Sequence, residues 1–75
     1  MKITIYSTPT CPYCIQAKRY FKTKNIAFED IDVSVDQTKA QEMIKLSGQM
    51  GVPVITIDDQ VIVGFNQAEI EQVLK

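Results

Sequence analysis

Apolar and polar residues alternate at the start of the chain and then recur at helical spacing. The alternation predicts a strand over residues 2–7. A helix is predicted to begin at Pro12, because the fixed φ of proline suits the first helical position, and to end near Lys24 or Asn25. Its buried stripe is expected to contain Cys14, Ala17, Tyr20 and Phe21.

The middle of the chain predicts a second strand and a second helix. Residues 26–32 are strand-like, and Ser34 with Gln37 fits a capping box that opens a helix. This helix is predicted to run to about Ser47, where Gly48 stops it. Its apolar face would consist of Ala40, Met43, Ile44 and Ser47.

The last third of the chain predicts a hairpin followed by a helix. Two short β-branched runs, Val54 to Ile57 and Gln60 to Val63, flank the pair Asp58-Asp59, although the usual turn glycine is missing. Asn66 and Glu69 fit another capping box. The final helix would bury Ile70, Val73 and Leu74.

These elements give the order β-α-β-α-β-β-α in a single domain over residues 1–75. The first two strands, joined through a helix, are expected to be parallel with a right-handed crossover. With the hairpin they form a four-stranded mixed sheet covered by helices on both faces, an α/β sandwich of three layers. Of 34 hydrophobic residues 17 are Val or Ile and only two are Leu, which favours a sheet over a helical bundle.

Composition and charge exclude several classes of function. A net charge of −1 leaves no broad basic face for nucleic acid, and the short apolar runs exclude a membrane span. The alternating N-terminus does not resemble a signal peptide, so we expect a cytoplasmic protein. The absence of histidine excludes Ser-His-Asp and Cys-His nucleophile systems and any zinc site that uses histidine.

The candidate chemistry lies in Cys11 and Cys14, which are three residues apart. The pair is open to interpretation as a redox pair, as half of a metal site or as a coincidence. If Pro12 opens the helix, Cys11 is its N-cap, where the helix dipole and the backbone N–H groups of Tyr13 and Cys14 favour the thiolate. Cys14, one turn later, is expected to point inward, so that Cys11 attacks and Cys14 resolves.

Three further features each have two interpretations. Tyr13 offers a flat edge beside the attacked sulfur, or it is an exposed aromatic without a role. Pro53 is cis and presents the backbone of Val52 to an incoming peptide, or it is trans at an ordinary junction. In one interpretation, Gly64 permits close backbone approach and the N-terminus of the helix at Asn66 receives a ligand carboxylate. In the other, both residues simply form a turn into a capped helix.

The pattern resembles the glutaredoxin family of the thioredoxin fold over nearly the whole chain. The resemblance rests on the opening strand, on Cys11-Pro12-Tyr13-Cys14, on Val52-Pro53 and on Gly64. It implies a thioredoxin-like sandwich and a thiol–disulfide oxidoreductase without a bound cofactor. Cys11 would be the nucleophile, Cys14 the resolving thiol and cis-Pro53 their neighbour. Its partners would be disulfide-containing proteins, and we expect a monomer.

Departures from the family pattern concern the electron donor. The basic residue usual three positions before the first cysteine is Thr8, and the threonine usual before Val-Pro is Gly51. Lys18 and Arg19 are about two helical turns from Cys11, where solvent screening leaves little attraction for a glutathione carboxylate. We therefore expect the protein to use glutathione poorly. Gly64-Phe65 is similar to the ribonucleotide-reductase-coupled redoxins, which take electrons from a thioredoxin-reductase-type flavoprotein. Phe65 and Asn66 are therefore further candidate binding residues.

An alternative from another class is a carrier of iron–sulfur clusters or metal. Two chains would then supply four sulfurs, or two sulfurs and two glutathiones. The intact second cysteine and Pro12 favour the dithiol oxidoreductase.

Overall fold

The computed structural model describes residues 2–74 and has the predicted order of elements. The elements are β1 (Ile3–Ser7), α1 (Pro12–Thr23), β2 (Glu29–Asp32), α2 (Gln37–Ser47), β3 (Val54–Ile57), β4 (Gln60–Val63) and α3 (Gln67–Leu74). Among residues 2–74, no helix combines the length and the hydrophobicity needed to span a membrane.

The four strands form one mixed sheet in the order β2-β1-β3-β4. β1 pairs in parallel with β2, and it pairs in antiparallel fashion with β3. β3 and β4 form the predicted antiparallel hairpin. β1 is therefore an interior strand, and the segment that follows its last residue, Ser7, leads directly to the cysteines.

The sheet separates two clusters of buried side chains. α1 and α3 cover one face, where Ala17, Phe21 and Ile70 pack with isoleucines of β1, β3 and β4. α2 covers the other face, where Met43 packs with Tyr6 and Val54. This arrangement confirms the three-layer thioredoxin-like sandwich, and it makes the α1 face the larger core.

Two predicted boundaries are wrong. β2 begins at Glu29 rather than at residue 26, because Ile26 donates its N–H to the Phe21 carbonyl, 2.9 Å away, and so stays attached to the end of α1. The capping box at Ser34 is absent. Asp36 is the N-cap of α2 and accepts from the Lys39 N–H at 3.1 Å.

The other predicted ends have a local explanation. Gly48 is left-handed at φ 75° and terminates α2, while Asn25 is left-handed at φ 57° just after α1. Asp58 has φ 53° and takes the place of the missing turn glycine. Asn66 caps α3, because its side-chain oxygen accepts from the Glu69 N–H at 3.2 Å.

Candidate active site

Cys11 occupies the N-cap of α1, as the sequence predicts. Its backbone is extended, Pro12 is the first helical residue, and its carbonyl accepts from the Ile15 N–H at 3.1 Å. Of the two N–H groups expected to reach the sulfur, that of Cys14 does so, at 3.2 Å. The sulfur is partly exposed, so it combines access to solvent with a donor and with the positive end of the helix dipole.

Cys14 has the opposite environment. Its side chain is 0% exposed and lies on the same helical stripe as Ala17 and Phe21. Burial, followed by a hydrogen bond with the Cys11 side chain, raises the pKa of the Cys14 thiol to about 12, although the Thr8 backbone N–H acts in the other direction. Cys14 therefore remains protonated at neutral pH in the reduced protein.

The two sulfurs are free thiols, so the structure represents the reduced protein. Cys11 is the accessible sulfur and Cys14 is the buried one. A disulfide exchange needs an exposed thiolate that attacks and a second thiol, close by, that completes the exchange. The pair meets both needs within one turn of α1.

The Val52–Pro53 peptide bond is cis, as the family resemblance implies, and it adjoins the Cys11 sulfur. The Val52 carbonyl oxygen lies 3.8 Å from the Cys11 sulfur. Pro53 is buried, and its carbonyl accepts from the Gly64 N–H at 2.8 Å. The backbone at Val52 and Pro53 therefore passes beside Cys11 and is held in place by the hydrogen bond from Gly64 at the end of β4.

Gly64 adopts a backbone angle that favours glycine. It has φ 80°, where a side chain is strained, but a Cβ built there would meet nothing within 4 Å. None of the protein's own described atoms approaches this position closely, so close approach of a bound molecule at Gly64 stays a prediction. Asn66, two residues on, is exposed and caps α3.

The two candidate aromatic residues differ in exposure. Tyr13 is 61% exposed next to Pro12, so its ring is available to a bound molecule. Phe65 is half-buried, and its ring contacts the edge of Tyr20 with centroids 5.8 Å apart. Phe65 thus holds the loop after β4 against α1, with only part of its surface open.

A polar cluster that the sequence analysis missed lies behind the cysteines. The Lys18 ammonium is 3.0 Å from a carboxylate oxygen of Asp30, and the Ser7 hydroxyl donates to the other oxygen at 2.8 Å. Lys18 is therefore an ion-pair partner rather than a free distant cation. The available signal was a charged residue, Asp30, on a strand predicted to be parallel to β1. Its place opposite Ile5 depends on the register of the two strands, which the sequence pattern does not determine.

Metal binding within one chain has no support among residues 2–74, since no three His, Cys, Asp or Glu side chains there are grouped to hold an ion. A cluster that bridges two chains would take only two sulfurs from each, so it remains a hypothesis.

Comparisons with known proteins agree with this geometry. The family model described as Glutaredoxin matches residues 3–62. An uncharacterized glutaredoxin-like 8.6 kDa protein in the rubredoxin operon of Clostridium pasteurianum is 55% identical over 73 residues, which cover 97% of each chain. Glutaredoxin 3 of Escherichia coli strain K12 is 42% identical over 62 residues, covering 83% of this chain and 75% of that protein.

A solved structure gives the same fold. The glutaredoxin-like protein NrdH-redoxin from Escherichia coli, whose structure is described as the basis of a thioredoxin-like activity profile, superimposes with a TM-score of 0.83 at 30% identity. The match covers 97% of this chain and 95% of that one. The similarity therefore extends through α3, beyond the region that the family model matches.

Proposed function

The chain belongs to the glutaredoxin family, and we propose that it reduces protein disulfides or glutathione mixed disulfides as a dithiol oxidoreductase. The observation that carries the proposal is the contrast between an accessible Cys11 at the N-cap of α1 and a buried Cys14 one turn later. The chemistry needs only these two sulfurs and an external electron donor, with no bound cofactor.

The proposed reaction has two steps. The Cys11 thiolate attacks a substrate disulfide and forms a mixed disulfide, releasing the first substrate thiolate. Cys14 then loses its proton and attacks the Cys11 sulfur, so that a Cys11–Cys14 disulfide forms and the second substrate thiolate leaves with a proton. The substrate is reduced by two electrons, and the protein carries the oxidising equivalent until a donor removes it.

Substrate binding would use the backbone beside Cys11. The Val52 carbonyl, 3.8 Å from the sulfur, lies where an extended peptide around a substrate cysteine could pair with it. The exposed ring of Tyr13 would cover the peptide on the helix side. Gly64, Phe65 and Asn66 form the adjacent loop, which would meet the other end of the bound molecule.

The electron donor that we propose is a thioredoxin-reductase-type flavoprotein rather than glutathione. Thr8 and Gly51 provide no charge near Cys11, and Lys18, which lies behind the cysteines, is already paired with Asp30. Loss of a charge-assisted contact to a glutathione carboxylate weakens binding. The thioredoxin-like activity profile stated for the similar Escherichia coli redoxin supports this choice.

A coupled assay tests both parts of the proposal. Reduced protein is cycled against an insulin disulfide or a glutathione mixed disulfide, with either glutathione and its reductase or a thioredoxin-reductase-type enzyme as donor. We expect turnover that needs Cys11 and is faster with the second donor. A protein without turnover on either substrate would overturn the function, and equal use of glutathione would overturn the proposed donor.

A further inference from the structure

We propose that Lys18, held by Asp30 and Ser7, is a positioning residue that stabilises the Cys14 thiolate as it forms and so sets the rate of substrate release. The inference rests on the proposed function, because it concerns the second step of that reaction. It assigns a role to a cluster that the first step does not use.

Sheet register places the cluster on the cysteine side of the sheet. Ile5 is opposite Asp30 in the parallel pairing of β1 with β2, and Ile5 belongs to the core that α1 covers. Ser7 is two residues after Ile5, so its side chain points to the same face. Both residues therefore face α1, where Cys14 is buried.

Helical spacing brings Lys18 to the same place. It follows Cys14 by four residues, so the two side chains are neighbours on one face of α1. Its side chain is only 22% exposed, compared with 42% for Lys39 in the Lys39–Glu42 pair. Ser7, at 1% exposure, fixes the carboxylate that in turn fixes the ammonium.

The buried thiol needs such a charge. Burial raises the pKa of Cys14 to about 12, and the charge of Lys18 acts to lower it, as the smallest of the contributions in the reduced protein. The effect favours the thiolate, which is the species that attacks Cys11. The Asp30 side chain is 44% exposed, so solvent screens the ion pair in part, but the pair keeps the Lys18 charge beside α1.

Other groups around Cys14 do not supply this charge. The Cys11 side chain raises the pKa of Cys14, and the Thr8 N–H is a neutral donor. Asp32 of β2 is occupied by the Ser34 N–H and hydroxyl, and Glu71 of α3 is bonded to Tyr20. Tyr6 faces the α2 side of the sheet, and burial raises its pKa so that it remains neutral.

The second step can be isolated with a chromogenic aromatic disulfide, 5,5′-dithiobis(2-nitrobenzoate). In acid, Cys11 takes up one thionitrobenzoate, and the first coloured thiolate is released. A jump to higher pH then lets Cys14 attack Cys11 and release the second. The rate of this second release, followed by absorbance over a range of pH, reports the ionisation of Cys14 and not the binding of a biological substrate.

Three variants separate charge from structure. Lys18→Gln should slow the second release by about threefold to tenfold at neutral pH and move its pH midpoint upward, because one pKa unit is a factor of ten. Lys18→Arg should restore the rate. Asp30→Asn keeps the hydrogen-bonding shape but removes the opposing negative charge, so it should move the midpoint downward.

The matched control is Lys22→Gln, which removes the same charge from an exposed site about 12 Å along α1 from Cys14. It should leave the midpoint unchanged. An unchanged midpoint in Lys18→Gln would overturn the inference, and so would a shift in the same direction in Lys18→Gln and Asp30→Asn, since that is the result of structural damage. Failure of the wild-type protein to release the second thiolate would instead overturn the proposed function.

Discussion

Cys11 and Cys14 are three residues apart, but different parts of the molecule surround them. The outer side, around Cys11, consists of loop residues and the first turn of α1: Thr8, Tyr13, Val52, Pro53 and Gly64. The inner side, around Cys14, consists of helix and strand residues: Ser7, Ala17, Lys18, Phe21 and Asp30. Residues of the outer side are placed to contact a binding partner. Residues of the inner side must pack in the core and also surround the Cys14 thiol.

The difference supports the two separate roles proposed for the two cysteines. On the outer side, a sulfur receives a backbone donor and stays in contact with solvent. On the inner side, burial keeps a sulfur protonated and out of reach. In the proposed reaction this contrast orders the two steps, with attack by Cys11 first and release through Cys14 second.

The largest effect is expected from removing the Cys11 sulfur. Cys11→Ser should abolish disulfide reduction, because a hydroxyl does not attack a disulfide, while unfolding by urea should change little. Cys14→Ser is the matched variant. It should still attack and then accumulate as a mixed disulfide through Cys11, which intact mass spectrometry detects. Turnover by Cys11→Ser would show that the two roles are assigned the wrong way round.

The next test weakens the inner side. Phe21 is 0% exposed and contacts both Tyr20 and Phe28. Phe21→Ala should cost about 3–5 kcal/mol in the free energy of unfolding, measured in urea. Ile15→Ala, on the exposed side of α1, is the control and should cost far less. A small loss in Phe21→Ala would mean that the inner side is not the structural half of the site.

The third test uses pH. The pKa of Cys14 rises from an ordinary 9.0 to about 12 in the folded state. Above pH 9 the unfolded thiol loses a proton that the native thiol keeps, so the native state binds more protons and its stability falls with rising pH. The reduced protein should lose up to about 1.4 kcal/mol per pH unit from this group.

Urea unfolding at about pH 8 and about pH 10 measures this loss. Cys14→Ala, compared with wild type at both values, removes the contribution while leaving the other titrating groups in place. An equal loss in the two proteins would contradict the inner environment assigned to Cys14.

The smallest expected effect is on the outer side. Thr8→Lys adds the cation missing near Cys11 and should raise the rate with glutathione by about twofold to fivefold at low salt, as for an exposed charge pair. The gain should fall as salt rises. Thr38→Lys places the same charge on the exposed surface of α2 and should have no effect. Efficient use of glutathione by the native protein, unaltered by Thr8→Lys, would refute the interpretation of Thr8.

The order of elements could be predicted because each has a strong local signal. Pro12 opens α1, Gly48 ends α2, and two short β-branched runs mark the hairpin. The N-cap position of Cys11 follows from Pro12 alone, since a helix that begins at a proline places the preceding residue at its cap. These features depend on neighbours in sequence, which a single chain displays directly.

Features that depend on particular hydrogen bonds or on the register of the sheet were missed or misplaced. Ile26 is not part of β2, because its N–H donates to the Phe21 carbonyl near the end of α1. Asp36 replaces Ser34 as the cap of α2, because Asp32 binds the Ser34 hydroxyl and N–H. The pairing of Lys18 with Asp30 needs the register between β1 and β2, which the pattern of apolar residues does not determine.

The direction of β1 has a practical consequence for handling the protein. Lys2 and Asp58 are joined by two hydrogen bonds of 2.8 Å at the start of β1, and the cysteines follow its other end, about 13 Å further along the strand. Val73, near the end of α3, borders the same hairpin turn as Asp58. Both ends of the described chain thus lie away from the sulfurs, so a tether to an electrode or a reporter at either end would leave Cys11 facing the solution.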